Sequence, residues 1–419
     1  MDKKSRKTVV FLGAVVIAVL CFAAGFFAGS RSRRGEGTSK EGTGRGAKTA
    51  LAAESGALED LSHAQYTPTA ITGDREEAVE HALNGESDPE ETAAAELPEL
   101  TDANCIVSAE NGMYTYDMMC EDMYALCGKY PEILQYTYVG TSFDDRNLYA
   151  ITLGSVSAPH HIMAVASING SEHMTTLMVM KMLEYYAYYY NVGSYKGIAF
   201  SELFENTSVR VLLMGNPDGV TIAQLGASAL NHEEFAAIVQ ECYEKDKWYL
   251  EYRDDGEGAR WVDHYDIPEF NVKLSENPEM ISFEDYQKLW NANAYGVDIS
   301  RNFAGLWEES AYKAESDYAG YKGPSAMSEV ETALIYSYAL DMEHDYYIRY
   351  TGGSNPVGAG DAAGSFEEWL LETCQKECIT VPCGRGLIPY PAADLQRIYE
   401  ENRDGWAHLC YNIKTGSAG

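Results

Sequence analysis

The sequence predicts an α/β protein with a mixed, mainly parallel sheet flanked by helices on both faces, preceded by a single N-terminal transmembrane helix. Three observations carry that expectation. Two short, largely apolar runs, His161 to Ile168 and Val209 to Met214, have the near-continuous hydrophobicity of strands buried on both faces. Helical stretches at Glu172 to Tyr190 and Glu329 to Met342 alternate with them, and such alternation makes a parallel or mixed sheet with crossover helices. Finally, an uncharged run from Val9 to Gly29 is bounded by basic residues on both sides. As a helix it would cover roughly 30 Å, the thickness of a bilayer core.

In chain order, residues 1–8 form a basic cytoplasmic head and residues 9–29 the membrane-spanning helix. A cleaved signal peptide is the competing reading, although its apolar region would usually be only ~7–15 residues long. Arg31, Arg33 and Arg34 follow the run as Lys3, Lys4, Arg6 and Lys7 precede it, so basic flanks orient it only weakly. The expectation is a single-pass protein of the cell membrane with its main domain extracytoplasmic. Residues 30–104 are rich in Gly, Ser, Ala, Thr and Glu, with an acidic stretch from Glu86 to Glu99. They hold too little apolar surface to offset the entropy of ordering, which makes a flexible stalk. Residues 105–415 are the folded domain.

Within that domain, Met118 to Leu134 reads as a helix closed near Pro131, and Tyr136 to Leu153 as two strands about a turn at Ser142 to Arg146. The helix from Glu172 carries Met174, Leu177, Met178, Met182 and Leu183 on one side, a packing stripe rather than a cofactor site. Asn216-Pro217-Asp218-Gly219 halts the next strand and reads as a turn.

Charge excludes one class of partner. The net charge of −33 divides into +7 over the first 48 residues and −40 over the rest, where 21 basic face 61 acidic side chains. So acidic a surface repels phosphate backbones, which rules out nucleic acid. Of nine cysteines, Cys21 lies in the apolar run and eight beyond it. Their even number suits disulfides and equally suits reduced, buried thiols. Cys374, Cys378 and Cys383 match no usual zinc spacing.

Three strand ends carry polar residues: Asn169-Gly170-Ser171-Glu172, Asn216 to Gly219, and Tyr350-Thr351-Gly352-Gly353. Ligand sites of open α/β sheets gather at such ends. Gly140 to Ser142 with Arg146, Gly296-Val297-Asp298-Ile299-Ser300-Arg301-Asn302-Phe303, Tyr318 to Gly320 and Ser328-Glu329-Val330-Glu331-Thr332 complete an ordered set. From about Cys120 to Asn412 this set resembles the zinc carboxypeptidases, peptidase family M14, and within it the bacterial branch that cleaves γ-D-glutamyl-diamino acid bonds of cell-wall peptides.

The resemblance implies one zinc held by the His and Glu of an H-x-x-E segment and by a distant His, with a catalytic Glu further on. Three protein ligands leave a position for a water whose pKa the metal lowers. This chain departs from that pattern at each step but one. Asn169 stands where the first His belongs, and Glu172 is kept as a vestigial ligand. The second His, counted 23 residues on from Ser328, becomes Thr351. Pro382 follows Gly364 to Trp369 at the place of the general base and can exchange no proton. Asn291 occupies the position of the basic residue expected to polarise the scissile carbonyl. Arg301 is kept where the family grips the substrate carboxylate, with Ser300 in place of its Asn partner; an ordinary salt bridge in an acidic domain is the plainer reading of Arg301. His173, His160, His161 and His344 are not placed to substitute, so zinc is disfavoured as a cofactor.

The expected function is therefore that of a membrane-anchored carboxypeptidase-like protein, catalytically inactive, binding a peptide with a free carboxylate such as a cell-wall stem peptide. Two rivals stand beside it: an active zinc metallocarboxypeptidase or cell-wall endopeptidase with a rearranged metal site, and a structural interaction protein of an envelope or spore.

Overall fold

The computed structural model describes residues 97–101, 103–109, 112–246, 249–252, 259–262, 281–309, 313–352, 363–383 and 392–417. The basic head, the span at 9–29 and nearly all of the stalk lie outside the described residues. Among the described residues no helix is long and apolar enough to cross a membrane.

Six strands form the main sheet: β1 (Leu134–Thr141), β2 (Asn147–Leu153), β3 (His160–Val165), β4 (Thr207–Leu212), β5 (Tyr346–Thr351) and β6 (Cys378–Pro382). Their order is β1-β2-β4-β3-β5-β6. The β1/β2 and β2/β4 pairs are antiparallel, whereas β4, β3, β5 and β6 run parallel. The helices are α1 (Tyr116–Lys129), α2 (His173–Tyr188), α3 (Phe200–Asn206), α4 (Pro217–Leu225), α5 (Glu233–Asp246), α6 (Phe283–Lys288), α7 (Val330–Leu340), α8 (Phe366–Cys374), α9 (Ala392–Asn402) and α10 (Gly405–Thr415).

Burial explains why β3 and β4 lack alternation. Every residue of β4 is buried. Met163 and Val165 of β3 pack with Ile335 and Tyr338 of α7 and with Phe366 and Trp369 of α8. The pleat turns Ile162 and Ala164 the other way, and both are fully buried too. Tyr186 of α2 stacks on Trp406 of α10 and meets Phe204 of α3 edge-on.

Three details refine the sequence reading. The long helix begins at His173, after a 3₁₀ turn at Gly170–Glu172, and ends at Tyr188. Asn216 to Gly219 is not a free turn but the start of α4: Asn216 Oδ1 accepts from the Gly219 N–H at 2.9 Å and Pro217 takes a first-turn position. That pairing of side-chain cap and Pro is a helix-initiation signal as much as a turn signal. No disulfide joins the eight cysteines of the described region.

The segment ahead of α1 is fastened to α2. Glu184, 1% exposed, accepts the Ile106 N–H at 2.6 Å and the Val107 N–H at 2.9 Å through its two carboxylate oxygens. Further out, the Tyr188 hydroxyl donates to the Pro98 carbonyl and the Leu100 N–H to the Tyr189 hydroxyl, each at 3.0 Å.

Candidate functional site at the carboxyl ends of the central strands

Beyond β3 the chain reaches Ser167, held at a positive φ of 48°. Its N–H donates to Thr175 Oγ1 at 2.8 Å and its hydroxyl to the Glu172 carbonyl at 3.0 Å, which folds the 3₁₀ turn back over the strand end. Gly170 lies so close to Gly219 that a Cβ would stand 2.5 Å from the latter's carbonyl carbon. The two segments can touch only because Gly170 lacks a side chain, whereas a Cβ on Gly219 would instead stand 2.3 Å from the Ala292 carbonyl oxygen.

That turn places Glu172 in the interior, 2% exposed. Thr351, the last residue of β5, donates its hydroxyl to Glu172 Oε1 at 2.8 Å. Asn169 offers its Nδ2 to the same oxygen at 3.5 Å, the limit of a hydrogen bond. Burial raises the Glu172 pKa, while the Arg349 charge, the Thr351 hydroxyl and the Gly352 N–H oppose that rise and the Asp298 charge adds to it. Glu172 Oε2 and Asn169 Oδ1 are buried with no hydrogen-bond partner.

Asn169, Glu172 and Thr351 thus converge, and Pro382 lies in register beside Thr351 on β6. Pro382 is exposed, and the next residue, Cys383, donates its N–H to the Thr351 carbonyl at 2.8 Å. The Asn291 side chain accepts a short hydrogen bond from the Ser171 hydroxyl, and its carbonyl accepts from Gly170 N and from Asn216 Nδ2. Ser300 turns its hydroxyl to Asp298 Oδ1 at 2.6 Å. Arg301 closes the same 3₁₀ turn, Ile299–Arg301, and is part-exposed.

These donors do not fit a zinc ion. The Thr351 hydroxyl hydrogen is directed at the one carboxylate, and Asn169 supplies an amide where a soft-to-borderline metal prefers imidazole. Among the described residues no group of three or more His, Cys, Asp or Glu is placed to hold a metal ion. Two histidines lie at the opposite ends of the strands. His161 and His344 gather at the amino ends of the strands, where His161 Nδ1 meets Ser208 Oγ at 2.7 Å and Arg210 donates to His344 Nε2 at 2.9 Å. His173 is buried beside Glu172, its Nδ1 has no partner, and burial lowers its pKa to about 4.

Sequence reasoning missed Arg349. It is 4% exposed on β5 and its Nη1 donates to both oxygens of Glu367 at 3.0 and 3.1 Å, while Thr380 Oγ1 donates to Glu367 Oε1 at 3.1 Å. The period-two alternation of a strand, which puts Arg349 on the face of Thr351, would have found it. A second buried polar group was also unforeseen. Asn293 Nδ2 donates to Glu329 Oε2 at 2.8 Å and to Glu331 Oε2 at 3.3 Å, and burial raises both carboxyls.

A mixed sheet with polar strand-end turns around a buried carboxylate marks out a candidate ligand site. The family model described as zinc carboxypeptidase, peptidase M14, matches residues 119–359. The chain belongs to that family, as the ordered motifs indicate. It is 23% identical over 319 residues to γ-D-glutamyl-L-diamino acid endopeptidase 1 of Lysinibacillus sphaericus, covering 69% of this chain and 70% of the relative. It is also 23% identical over 294 residues to uncharacterized protein YqgT of Bacillus subtilis, covering 62% and 68%. Among solved structures, bovine thrombin-activatable fibrinolysis inhibitor in complex with tick carboxypeptidase inhibitor aligns at a TM-score of 0.46 and 11% identity, over 72% of this chain and 98% of that one.

Proposed function

We propose that this protein is a carboxypeptidase-like binding module without hydrolytic activity, anchored in the cell membrane by residues 9–29 with its domain outside. Its ligand is a peptide with a free carboxylate, in the first instance a cell-wall stem peptide. The observation that carries this reading is the Thr351 to Glu172 hydrogen bond. It engages one oxygen of the retained ligand carboxylate in an internal contact, beside a Pro where the family has a base.

Arg301 is the residue retained on the binding side. A guanidinium pairs with a carboxylate through two parallel hydrogen bonds, a contact that needs no metal and no base. The Lysinibacillus sphaericus relative is named for a bond of γ-D-glutamyl peptides, which supports that class of ligand here.

The full chain in detergent should leave γ-D-glutamyl-diamino acid peptides intact, with or without added zinc, while binding them. Arg301→Ala should weaken binding about tenfold, the scale of one charge-assisted contact. Cleavage abolished by a chelator would overturn the inactive reading. Affinity unchanged in Arg301→Ala would overturn the binding role.

A further inference from the structure

The vestigial site lacks histidines, yet it does not lack a positive charge. β5 ends Tyr346-Tyr347-Ile348-Arg349-Tyr350-Thr351. Alternation puts Arg349 and Thr351 on one face of the sheet, roughly 7 Å apart along the strand. Thr351 reaches Glu172, and the Arg349 charge, one pleat back along the same strand and hydrogen-bonded to Glu367, acts on that carboxylate through space without touching it. Arginine is seldom buried, and burial without a partner carries a large desolvation cost. Here Glu367 supplies that partner on one side. The Arg349 Nε–H has no hydrogen-bond partner, and neither has Glu172 Oε2.

We infer that Arg349 has taken over the role of the metal as the fixed positive charge of this site: it braces Glu172 and excludes a divalent cation. The charges that act at Glu172 are Arg349 and Asp298, with Thr351 and the Gly352 N–H as hydrogen-bond donors. A metal ion between Asn169, Glu172 and Thr351 would lie beside a guanidinium that cannot lose its proton. Glu367 offsets part of the charge and stays ionised: burial would raise its pKa, yet Arg349 and Thr380 hold it below the usual carboxylate range. What remains at Glu172 opposes a second positive charge there, and a residual repulsion of about 1.4 kcal/mol already weakens metal binding about tenfold. Replacing the two lost ligands alone would therefore fail to restore a strong site. The inference shares the absent metal with the proposed function and is independent of peptide binding.

The test compares two versions of the full chain by calorimetric zinc titration, with near-ultraviolet circular dichroism as the folding check. Asn169→His with Thr351→His, keeping Arg349, should bind zinc weakly. Adding Arg349→Ser should tighten binding at least tenfold. Equal affinities in the two would overturn the inference while leaving the peptide-binding reading, measured on the unaltered chain, where it was.

A cycle in the otherwise natural chain keeps the inference testable even where the His variants do not fold. Glu172→Gln and Arg349→Met should each lower the melting temperature, Arg349→Met by on the order of 10 °C. The double variant should lose clearly less than the two losses added together. Strict additivity would overturn the bracing of Glu172 by Arg349.

Discussion

The two ends of the parallel strands have exchanged chemistries. At the carboxyl ends, where the family's fold positions its reactive groups, this chain has Asn169, Thr351 and Pro382 around a buried Glu172. At the amino ends it has imidazoles: His161 on Ser208, and His344 on Arg210, whose guanidinium is gripped by both oxygens of Asp341 at 2.7 and 2.6 Å and lies over the Tyr338 ring. The difference teaches that residue type does not mark the site. Histidines at the amino ends serve a structural network, whereas the strand-end position that has lost them is still identified by its hydrogen bonds.

If the amino-end network is structural, breaking it should cost as much stability as removing Arg349 at the other end. Arg210→Met removes the Asp341 pair, the His344 contact and part of the stacking on Tyr338. Asp341 is 41% exposed and rehydrates, so the loss should be about 3 kcal/mol in urea unfolding, rather than the larger cost of a wholly buried pair. A loss under about 1 kcal/mol would erase the contrast between the ends.

Next in size is a pH effect. Burial, reinforced by the Arg210 charge, lowers His344 to about 4, while Asp341 and the Ala339 carbonyl act in the opposite sense. The unfolded chain therefore binds more protons than the folded one between about pH 6.5 and 4, and stability contributed by neutral His344 is lost as the pH falls through that window. The decline should approach ~3 kcal/mol at most. His344→Asn should flatten it relative to the unaltered chain, while the raised carboxyl of Asp218, at about 6, contributes the same opposite slope to both proteins. Parallel stability profiles would show that His344 does not carry the effect.

At the carboxyl ends, Thr351→Val should cost about 1–2 kcal/mol, the penalty of leaving a buried oxygen poorly satisfied. Glu172 would lose a donor to its charged form, so its pKa would rise further. Because a raised carboxyl destabilises as the pH rises, the variant should lose more stability at pH 7 than at pH 4. An unchanged pH difference would separate Thr351 from Glu172. The smallest effect is expected from Pro382→Glu. The position is exposed on the last strand of the sheet, so stability should move by no more than about 0.5 kcal/mol. No peptide hydrolysis should appear, because a base alone lacks the electrophile. Detectable turnover in this variant would show a competent site in which only the base was missing.

Much of this was legible from sequence. The apolar runs at His161 and Val209 located the central strands because burial on both faces removes polar alternation, and the resemblance to the carboxypeptidase family implied that Asn169, Glu172 and Thr351 lie together. What stayed hidden depended on partners distant in sequence. Arg349 sits among tyrosines in what looks like an ordinary strand, and its meaning comes from Glu367 and Glu172, 18 and 177 positions away. Asn216 was misread because Asn-Pro-Asp-Gly is equally good at turning a chain and at starting a helix; the α4 contacts decide between them. Ser300 was expected to face a ligand and instead bonds Asp298, a choice of rotamer that spacing cannot encode.

The anchoring of the leading segment on α2 has a mechanical meaning. A pull on the chain ahead of Pro98 would not be shared by the whole domain. It would enter through the two tyrosine contacts at the exposed rim and then through the paired oxygens of Glu184, inside a helix with 13 of its 16 residues buried. Under tension the rim contacts peel first and singly, whereas the two bonds to one carboxylate must break together. The grip of this segment is thus graded along its length, from single contacts near Pro98 to a paired, buried one at Ile106 and Val107.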